Sequence, residues 1–182
     1  ETTDSDELYV TMRNVLGKDE VFYGSIAYGE INNLAYFDNI IIDNYNRFNV
    51  EYRDVWQLHA NASYDKRINS FISLNINADF YNWNEELSHK PNLTFDISIP
   101  INLRDKIKVM PRVIYLGSRN SLNGTSSEEL PPQTHFNLGL QYNYSKILSA
   151  YLQLNNLLNS KKELWRDYQE IGFNGVFGLS YS

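Results

Sequence analysis

The stretch that decides the fold is residues 48–64, FNVEYRDVWQLHANASY, in which apolar and polar residues alternate. Every second position is apolar or aromatic, namely Phe48, Val50, Tyr52, Trp56, Leu58, Ala60, Ala62 and Tyr64. The positions between them are polar, and only Asp54 and Val55 break the rule. Side chains of a strand alternate between two faces, whereas those of a helix repeat every ~3.6 residues. The stretch therefore predicts a β-strand with one apolar and one polar face.

The same alternation returns in residues 72–81, 93–102 and 136–144. It predicts roughly nine strands, with ends uncertain by a few residues. Their approximate positions are 8–16, 21–34, 48–64, 70–83, 93–103, 107–117, 135–144, 148–157 and 172–182.

The connections between these strands alternate in length. Short turns are predicted around 17–20, 65–67, 104–106 and 145–147, and long polar connections at 38–47, 84–92, 118–134 and 159–171. Outer-membrane barrels have short periplasmic turns and long external loops, whereas a soluble sheet has no physical reason for this asymmetry. The sequence therefore predicts an all-β fold, an antiparallel up-and-down transmembrane β-barrel in a bacterial outer membrane.

The composition fits this prediction. The mean hydropathy of the 182 residues is -0.46, and no run approaches the ~20 apolar residues of a membrane helix. A barrel strand exposes only every second residue to lipid, so its mean hydropathy stays low. Aromatic residues make up 14%, which suits the interfacial girdles of a barrel. There is no Cys for disulfides or thiolate sites, and the net charge of -6 disfavours a nucleic-acid partner.

The first segment leaves two alternatives open. If residues 8–16 are a strand, it enters from outside, a preceding strand is missing, and the chain is the C-terminal part of a larger barrel. If residues 1–20 are a periplasmic tail, the remaining strands could close a barrel of about eight strands with a structural or adhesive role. Residues 1–7 are polar and acidic, so a signal peptide was removed or the chain starts within a longer protein. The whole of 1–182 is expected to be one barrel segment without a plug domain, and the first alternative is preferred.

The polar face supplies the candidate site residues. The side chains expected to face the lumen are Glu51, Arg53, His59, Asp79, Asp96, Lys108 and Arg112, in which both charge signs mix. They are expected to form a polar network, to line a lumen or to face a plug, and His59 is expected to join that network rather than act as a catalytic base. In the last external loop, Trp165 and Tyr168 either contact a ligand or belong to the outer aromatic girdle. No catalytic residue, metal ligand or cofactor is expected, because the three His show no metal spacing.

Roughly the last ninety residues resemble the C-terminal barrel region of TonB-dependent receptors, particularly those of Bacteroidetes. The matching motifs are HKP at 89–91, INLRDKIK at 101–108, IYLGSR at 114–119, LQLNNLL at 152–158, ELW at 163–165, Tyr168, and GFNGVFGLSYS at 172–182. The resemblance implies import of a bulky nutrient, with a plug domain, TonB and a surface lipoprotein as partners. The plug domain and the segment that contacts TonB are not expected within these residues.

The final strand also resembles an assembly signal. Phe177, Gly178, Leu179 and Tyr181 match the C-terminal pattern that the barrel-assembly machinery recognises, except that the pattern ends on an aromatic residue. We therefore predict an aromatic residue directly after Ser182 in the natural protein. The other expected partners are outer-membrane lipid and lipopolysaccharide.

Overall fold

The computed structural model describes residues 3–42, 45–104, 106–123 and 126–181. These residues contain fourteen strands: β1 Asp4–Gly17, β2 Glu20–Ile42, β3 Tyr45–Arg67, β4 Ser73–Trp83, β5 Leu93–Ser98, β6 Ile101–Leu103, β7 Ile107–Leu116, β8 Arg119–Asn123, β9 Ser126–Leu130, β10 Gln133–Asn143, β11 Leu148–Asn155, β12 Glu163–Trp165, β13 Tyr168–Gln169 and β14 Asn174–Tyr181. No helix in these ranges is long and apolar enough to cross a membrane.

Twelve of the strands form one sheet. Its wall runs in the order β1-β2-β3-β4-β5-β7-β10-β11-β14, and each neighbouring pair is antiparallel. β6 pairs with β7 and continues the line of β5 after a break at Ile99 and Pro100. The nine wall positions correspond to the nine predicted strands, and the prediction of an all-β antiparallel barrel segment is confirmed.

The prediction was wrong about the connection at 38–47. β2 and β3 continue as a paired ladder as far as Ile42 and Tyr45, so the two strands form a long arm beyond the rest of the sheet. We call residues 34–42 and 45–53 the arm. Residues 38–42, DNIII, show no alternation of polar and apolar residues, so alternation does not reveal this part of β2.

Three other connections also differ from the prediction. The turn expected at 65–67 lies at 68–72, because β3 and β4 stay paired up to Arg67 and Ser73. The Asn69 side chain sets that turn by accepting hydrogen bonds from the backbone N–H groups of Phe71 and Ile72. The long connections at 118–134 and 159–171 contain the β8–β9 and β12–β13 hairpins, respectively.

A β-bulge separates the arm from the rest of β2. Ile31 pairs with Val55 and Leu34 with Arg53, so β2 carries one extra residue at this point. Asn33 adopts a positive φ of 54°, and its N–H donates to Asp54 Oδ1 over 2.9 Å. The break in alternation at residues 54 and 55 thus has a cause, since Asp54 holds the bulge and Val55 is fully buried.

The sheet has two lateral edges in the described residues. β1 is paired only with β2, and β14 only with β11. A closed barrel of about eight strands would require β14 to pair with β2, and that pairing does not occur among the described residues. The wall is therefore an open sheet, as expected of a fragment of a larger barrel.

Candidate functional site

The inner face of β3, β4 and β5 carries a polar network centred on Asp79. One oxygen of its carboxylate lies 2.9 Å from His59 Nε2 and accepts a hydrogen bond from the Asn61 side chain over 2.9 Å. The other oxygen accepts a hydrogen bond from Asn77 over 3.0 Å. A carboxylate with these partners orients its neighbours, and His59 lies in a network of the kind expected from the sequence.

A row of parallel rings continues this network toward the external end. The His59 ring stacks on Tyr81 with centroids 4.3 Å apart, and Tyr81 and Trp83 lie parallel at 5.5 Å. The Trp83 Nε1–H donates to Gln57 Oε1 over 3.0 Å. The inner wall thus presents planar aromatic and amide groups in a fixed order.

Asp96, Lys108 and Arg112 also project from the inner face. Arg112 Nε donates to Asp96 Oδ1 over 2.9 Å, so these two charges compensate each other. Lys108 is exposed and lies opposite Gln141 in the ladder. The wall here encloses a groove of about 660 Å³ whose lining includes Asp96, Arg112, Asn137 and Gln141.

Glu51 and Arg53 lie on the same face of β3 but on the arm, beyond the bulge. Arg53 Nη1 is 2.9 Å from Glu85 Oε2, and its guanidinium lies 5.3 Å from the centre of the Tyr36 ring. Glu51 accepts a hydrogen bond from Asn49 over 2.7 Å. These two residues therefore belong to the external end of the molecule, where Arg53 contacts the loop at 84–92 and Glu51 contacts a neighbour on its own strand.

The arm packs against three other external segments, namely residues 84–92, the β8–β9 hairpin and the β12–β13 hairpin. We call these four segments together the external cluster. Asn39 pairs with Asn123 as a parallel bridge, and Asn39 Oδ1 accepts a hydrogen bond from Ser121 Oγ over 2.8 Å. Ser88 Oγ donates to Asp38 Oδ1 and accepts from the Leu122 N–H, both over 2.8 Å. The side chains of Asn39, Ser88 and Ser121 are each 1% exposed, so they form a polar core.

Trp165 holds the β12–β13 hairpin in the cluster. Its ring lies 4.6 Å from that of His89 and 5.5 Å from those of Phe37 and Phe48, centroid to centroid. Tyr168 contacts Phe48 at 5.3 Å and remains half-exposed. Trp165 thus joins the arm to the last loop, and a ligand-binding role for either residue stays a prediction.

His89 lies at the centre of these contacts. It has a positive φ of 60°, and its Nδ1 is 3.1 Å from the Phe37 carbonyl oxygen, to which it donates. Its Nε2 accepts a hydrogen bond from the Arg166 N–H over 3.4 Å. Burial lowers the pKa of His89, and the positive charge of Arg119 lowers it further. His89 is therefore neutral at pH 7, with one nitrogen donating and the other accepting.

Arg119 and Gln133 bind the backbone of the β12–β13 hairpin. Arg119 Nη2 and Gln133 Nε2 both donate to the Glu163 carbonyl oxygen, over 3.1 and 2.6 Å. Nearby, His135 Nε2 lies 3.2 Å from Glu170 Oε1. Burial lowers the pKa of Arg119, and the negative charge of Glu170 opposes this.

Most of these residues could not be identified from the sequence alone. Asn39, Ser88, Ser121 and Gln133 lie in polar segments that resemble solvated loops, and their burial depends on contacts between segments far apart in the chain. Among the described residues, no three His, Asp or Glu side chains form a group that could hold a metal ion.

The assembly-signal residues lie on β14. Phe177, Leu179 and Tyr181 share the outward, apolar face, opposite Leu152, Ala150 and Leu148 of β11. Gly178 faces inward opposite Tyr151, and a Cβ at this position would lie 2.3 Å from the Tyr151 ring. Recognition of these residues by an assembly machinery stays a prediction.

Solved structures of outer-membrane proteins share this fold. The chain superposes on the copper transporter OprC (TM-score 0.77, 8% identity), on a mutant of the ferric enterobactin receptor PfeA from Pseudomonas aeruginosa (0.76, 13%), and on the pyoverdine outer membrane receptor FpvA from Pseudomonas aeruginosa PAO1 (0.74, 10%). These alignments cover 98%, 98% and 99% of this chain and 31%, 31% and 30% of the other chains. No protein-family model matches the sequence, and neither does any curated protein.

The chain thus spans less than a third of the length of these solved structures. At these identities the likeness concerns the fold. It agrees with the receptor resemblance of the sequence motifs, while an origin in Bacteroidetes stays a prediction.

Proposed function

We propose that this chain forms the C-terminal strands of a TonB-dependent-receptor-like barrel that imports a bulky nutrient across a bacterial outer membrane. The observation that carries the proposal is the open wall, in which β1 and β14 each have one lateral edge without a partner strand among the described residues. The fold of nearly the whole chain matches that of outer-membrane receptors. An unpaired strand edge cannot face lipid, because its backbone groups would lack hydrogen-bond partners. Further strands of the same protein would fill both edges.

The inner wall supports an import role. Asp79 and Asp96 are paired with neighbouring polar side chains, so the wall offers a hydrated polar surface to a plug domain or a passing solute. TonB and a surface lipoprotein would be partners of the complete receptor, and no catalytic role is proposed for any residue.

Cysteine cross-linking in the complete protein tests the strand arrangement. Because the chain contains no Cys, Ser180→Cys would introduce one thiol near the free edge of β14. We expect it to form disulfides with cysteines scanned along a strand outside residues 1–182, at Cα separations of about 4.4–6.8 Å. Disulfides with cysteines in β1 or β2 would instead show a small closed barrel and contradict the proposal.

Import itself is tested in the host cell. Deleting the gene should abolish growth on one nutrient or its energy-dependent uptake, and restoring the complete gene should recover it. A dissipated proton gradient should have the same effect as the deletion. Uptake that persists in the deletion strain for every nutrient tested would contradict an import function.

A further inference from the structure

The four short turns at one end of the wall are rich in basic residues. They join β1 to β2, β3 to β4, β6 to β7 and β10 to β11, so they share the end opposite the external cluster. Six Lys or Arg and three Asp or Glu lie in these turns and their flanks, at 17–20, 66–72, 104–106 and 144–147. The external segments contain eleven acidic and seven basic residues, at 32–54, 84–92, 117–134 and 156–173. The two ends of the wall therefore carry net charges of opposite sign.

We call the basic residues of these turns the basic rim: Lys18, Lys66, Arg67, Arg104, Lys106 and Lys146. Of the rim residues, only Lys66 forms an ion pair within the described part of the chain, with Glu20 Oε2 over 3.2 Å. The other five side chains are exposed. Lys106 and Lys146 come from neighbouring turns and line one cleft of about 520 Å³ at this end. The rim thus offers uncompensated positive charge to a partner outside the chain.

Exposed apolar side chains adjoin the rim. Leu103, Ile107 and Tyr142 are neighbours on the outward face of the wall, next to the turns, and all three are exposed. In the turns themselves, Phe71 and Ile147 are 50% and 49% exposed. Basic side chains beside exposed apolar ones are typical of protein surfaces that lie in the interface of a membrane. The rim therefore suits a lipid surface better than a soluble acidic partner, which would leave these apolar side chains in water.

The charge of that lipid follows from the charge of the rim. In the proposed orientation the short turns lie on the periplasmic side, where the outer face of the wall reaches the headgroups of the inner leaflet. Phospholipids form this leaflet, and their headgroups are either anionic or zwitterionic. Attraction to anionic headgroups increases with each nearby Lys or Arg, whereas a zwitterionic headgroup brings no net charge. Phosphate oxygens also accept hydrogen bonds from ammonium and guanidinium groups.

We propose that the basic rim binds the headgroups of anionic phospholipids in the periplasmic leaflet and prefers them to zwitterionic ones. The proposal rests on the outer-membrane location and orientation proposed above, and it adds a lipid preference that import does not require. By holding headgroups at the level of the turns, the rim fixes the depth of the wall in the membrane.

The test uses the complete protein in vesicles of phosphatidylcholine, with a fluorescent bimane label on the thiol introduced by Tyr144→Cys. Tyr144 is exposed and lies two residues from Lys146, so the label reports on lipid at the rim. Quenching is compared between spin-labelled phosphatidylglycerol and spin-labelled phosphatidylcholine, added in equal amounts. We expect phosphatidylglycerol to quench about threefold more strongly, because the rim concentrates it around the turn. The double variant Lys106→Gln with Lys146→Gln should lower this quenching ratio about twofold or more.

Two further double variants separate the effect of charge from an effect on the fold. Lys106→Arg with Lys146→Arg keeps the charge and should keep the quenching ratio. Arg47→Gln with Lys161→Gln removes two exposed charges at the external end and should also leave the ratio unchanged. A ratio of about one with the rim intact, or a ratio that Lys106→Gln with Lys146→Gln does not lower, would overturn the proposal. Because quenching is measured without transport, its failure is distinguishable from failure of the import function, which is read in cells.

Discussion

Strand β3 passes through two environments that are stabilised in different ways. Its lower half belongs to the wall, where outward Trp56 is 43% exposed to what would be lipid and inward His59 takes part in a polar network. At the bulge where the wall meets the external cluster, Val55 is 0% exposed and packs with Ile31, Tyr36 and Leu87. The side chains that are buried in the described residues all lie at this external end.

The difference shows where each region gets its stability. In the proposed membrane location, the wall would depend on backbone ladders and on lipid that covers its outer face. The external cluster instead has a conventional core, partly apolar and partly polar, that excludes water without lipid. It should therefore respond to substitution as a small soluble domain does.

The largest effect should come from a charge in that core. Val55→Asp would bury an unpaired carboxylate among apolar side chains, at a cost of about 3–5 kcal/mol. We expect the external cluster to open while the wall persists, seen as fast hydrogen exchange in residues 84–92 and 119–130 with the wall still protected. Val50→Asp, at a 43% exposed position of the arm, is the control and should exchange normally. Equal loss of protection in wall and cluster would contradict the separation.

The wall should respond to a steric change on its last strand. Gly178→Val places a side chain where Tyr151 ring atoms lie only 2.3 Å from the Cβ position, so we expect a loss of about 1–3 kcal/mol in unfolding by denaturant in detergent. Adding Tyr151→Ala should restore most of it. Gly175→Ala, whose Cβ would lie 3.3 Å from Leu154 Cδ2 and 3.6 Å from the Gln153 carbonyl oxygen, is the milder control. Failure of Tyr151→Ala to rescue would show that the ring is not the cause.

The contrast between the regions also explains what the sequence could reveal. Alternation through residues 57–64 reports directly on the two faces of β3, so the wall and its strand order were predictable. The outer part of the arm was not predictable, because residues 38–42 pair with residues 45–49 where other external segments cover them, and the local sequence pattern does not indicate such contacts. The predicted lumen-facing side chains share one face of the sheet, and whether that face lines a lumen stays a prediction. Glu51 and Arg53 lie on the arm, because parity determines the face of a strand and not the position along it.

The candidate site beneath the last loop could be predicted only in part from the sequence. Trp165 and Tyr168 stood out as aromatic residues in a polar loop. Arg119 and Gln133 did not, because their burial arises from contacts with Glu163, far along the chain. A buried polar residue and a solvated one have the same local sequence signature.

A smaller loss of stability in the external cluster is expected when the pH falls. Burial lowers the pKa of His89 in the folded cluster, so its contribution is fully present above the unfolded pKa of about 6.5. As the pH falls below that value, the unfolded segment takes up a proton that the folded cluster excludes, and stability declines toward the lowered pKa. Protonation of Nε2 also removes the acceptor for the Arg166 N–H.

Hydrogen exchange of the external cluster, measured between pH 5 and 8 at intervals of about one pH unit, checks this expectation. His89→Gln, which can still donate and accept, should flatten the dependence on pH. A steep dependence that remains in this variant would assign the effect to other groups. The wall strands provide the internal control.

The smallest effect is expected at the arm's surface ion pair. Arg53 and Glu85 are 42% and 45% exposed, so their coupling should be below about 1 kcal/mol in a double-mutant cycle of Arg53→Ala and Glu85→Ala. Arg53→Ala alone should cost somewhat more, because the guanidinium also lies over the Tyr36 ring. A coupling above about 2 kcal/mol would place this pair within the core rather than at its rim.

The contacts of the external cluster have a consequence for the order of assembly. Ser121 bonds to Asn39 across 82 positions, and the Arg166 N–H reaches His89 across 77. Contacts of such high sequence separation form late, since a long loop must close before they contribute. The arm is synthesised before its partners, and it acquires the last of them, Trp165, only when the β12–β13 hairpin arrives. A product truncated before that hairpin would keep the contacts of the arm with residues 84–92 but would leave the rings of Phe37 and Phe48 without Trp165.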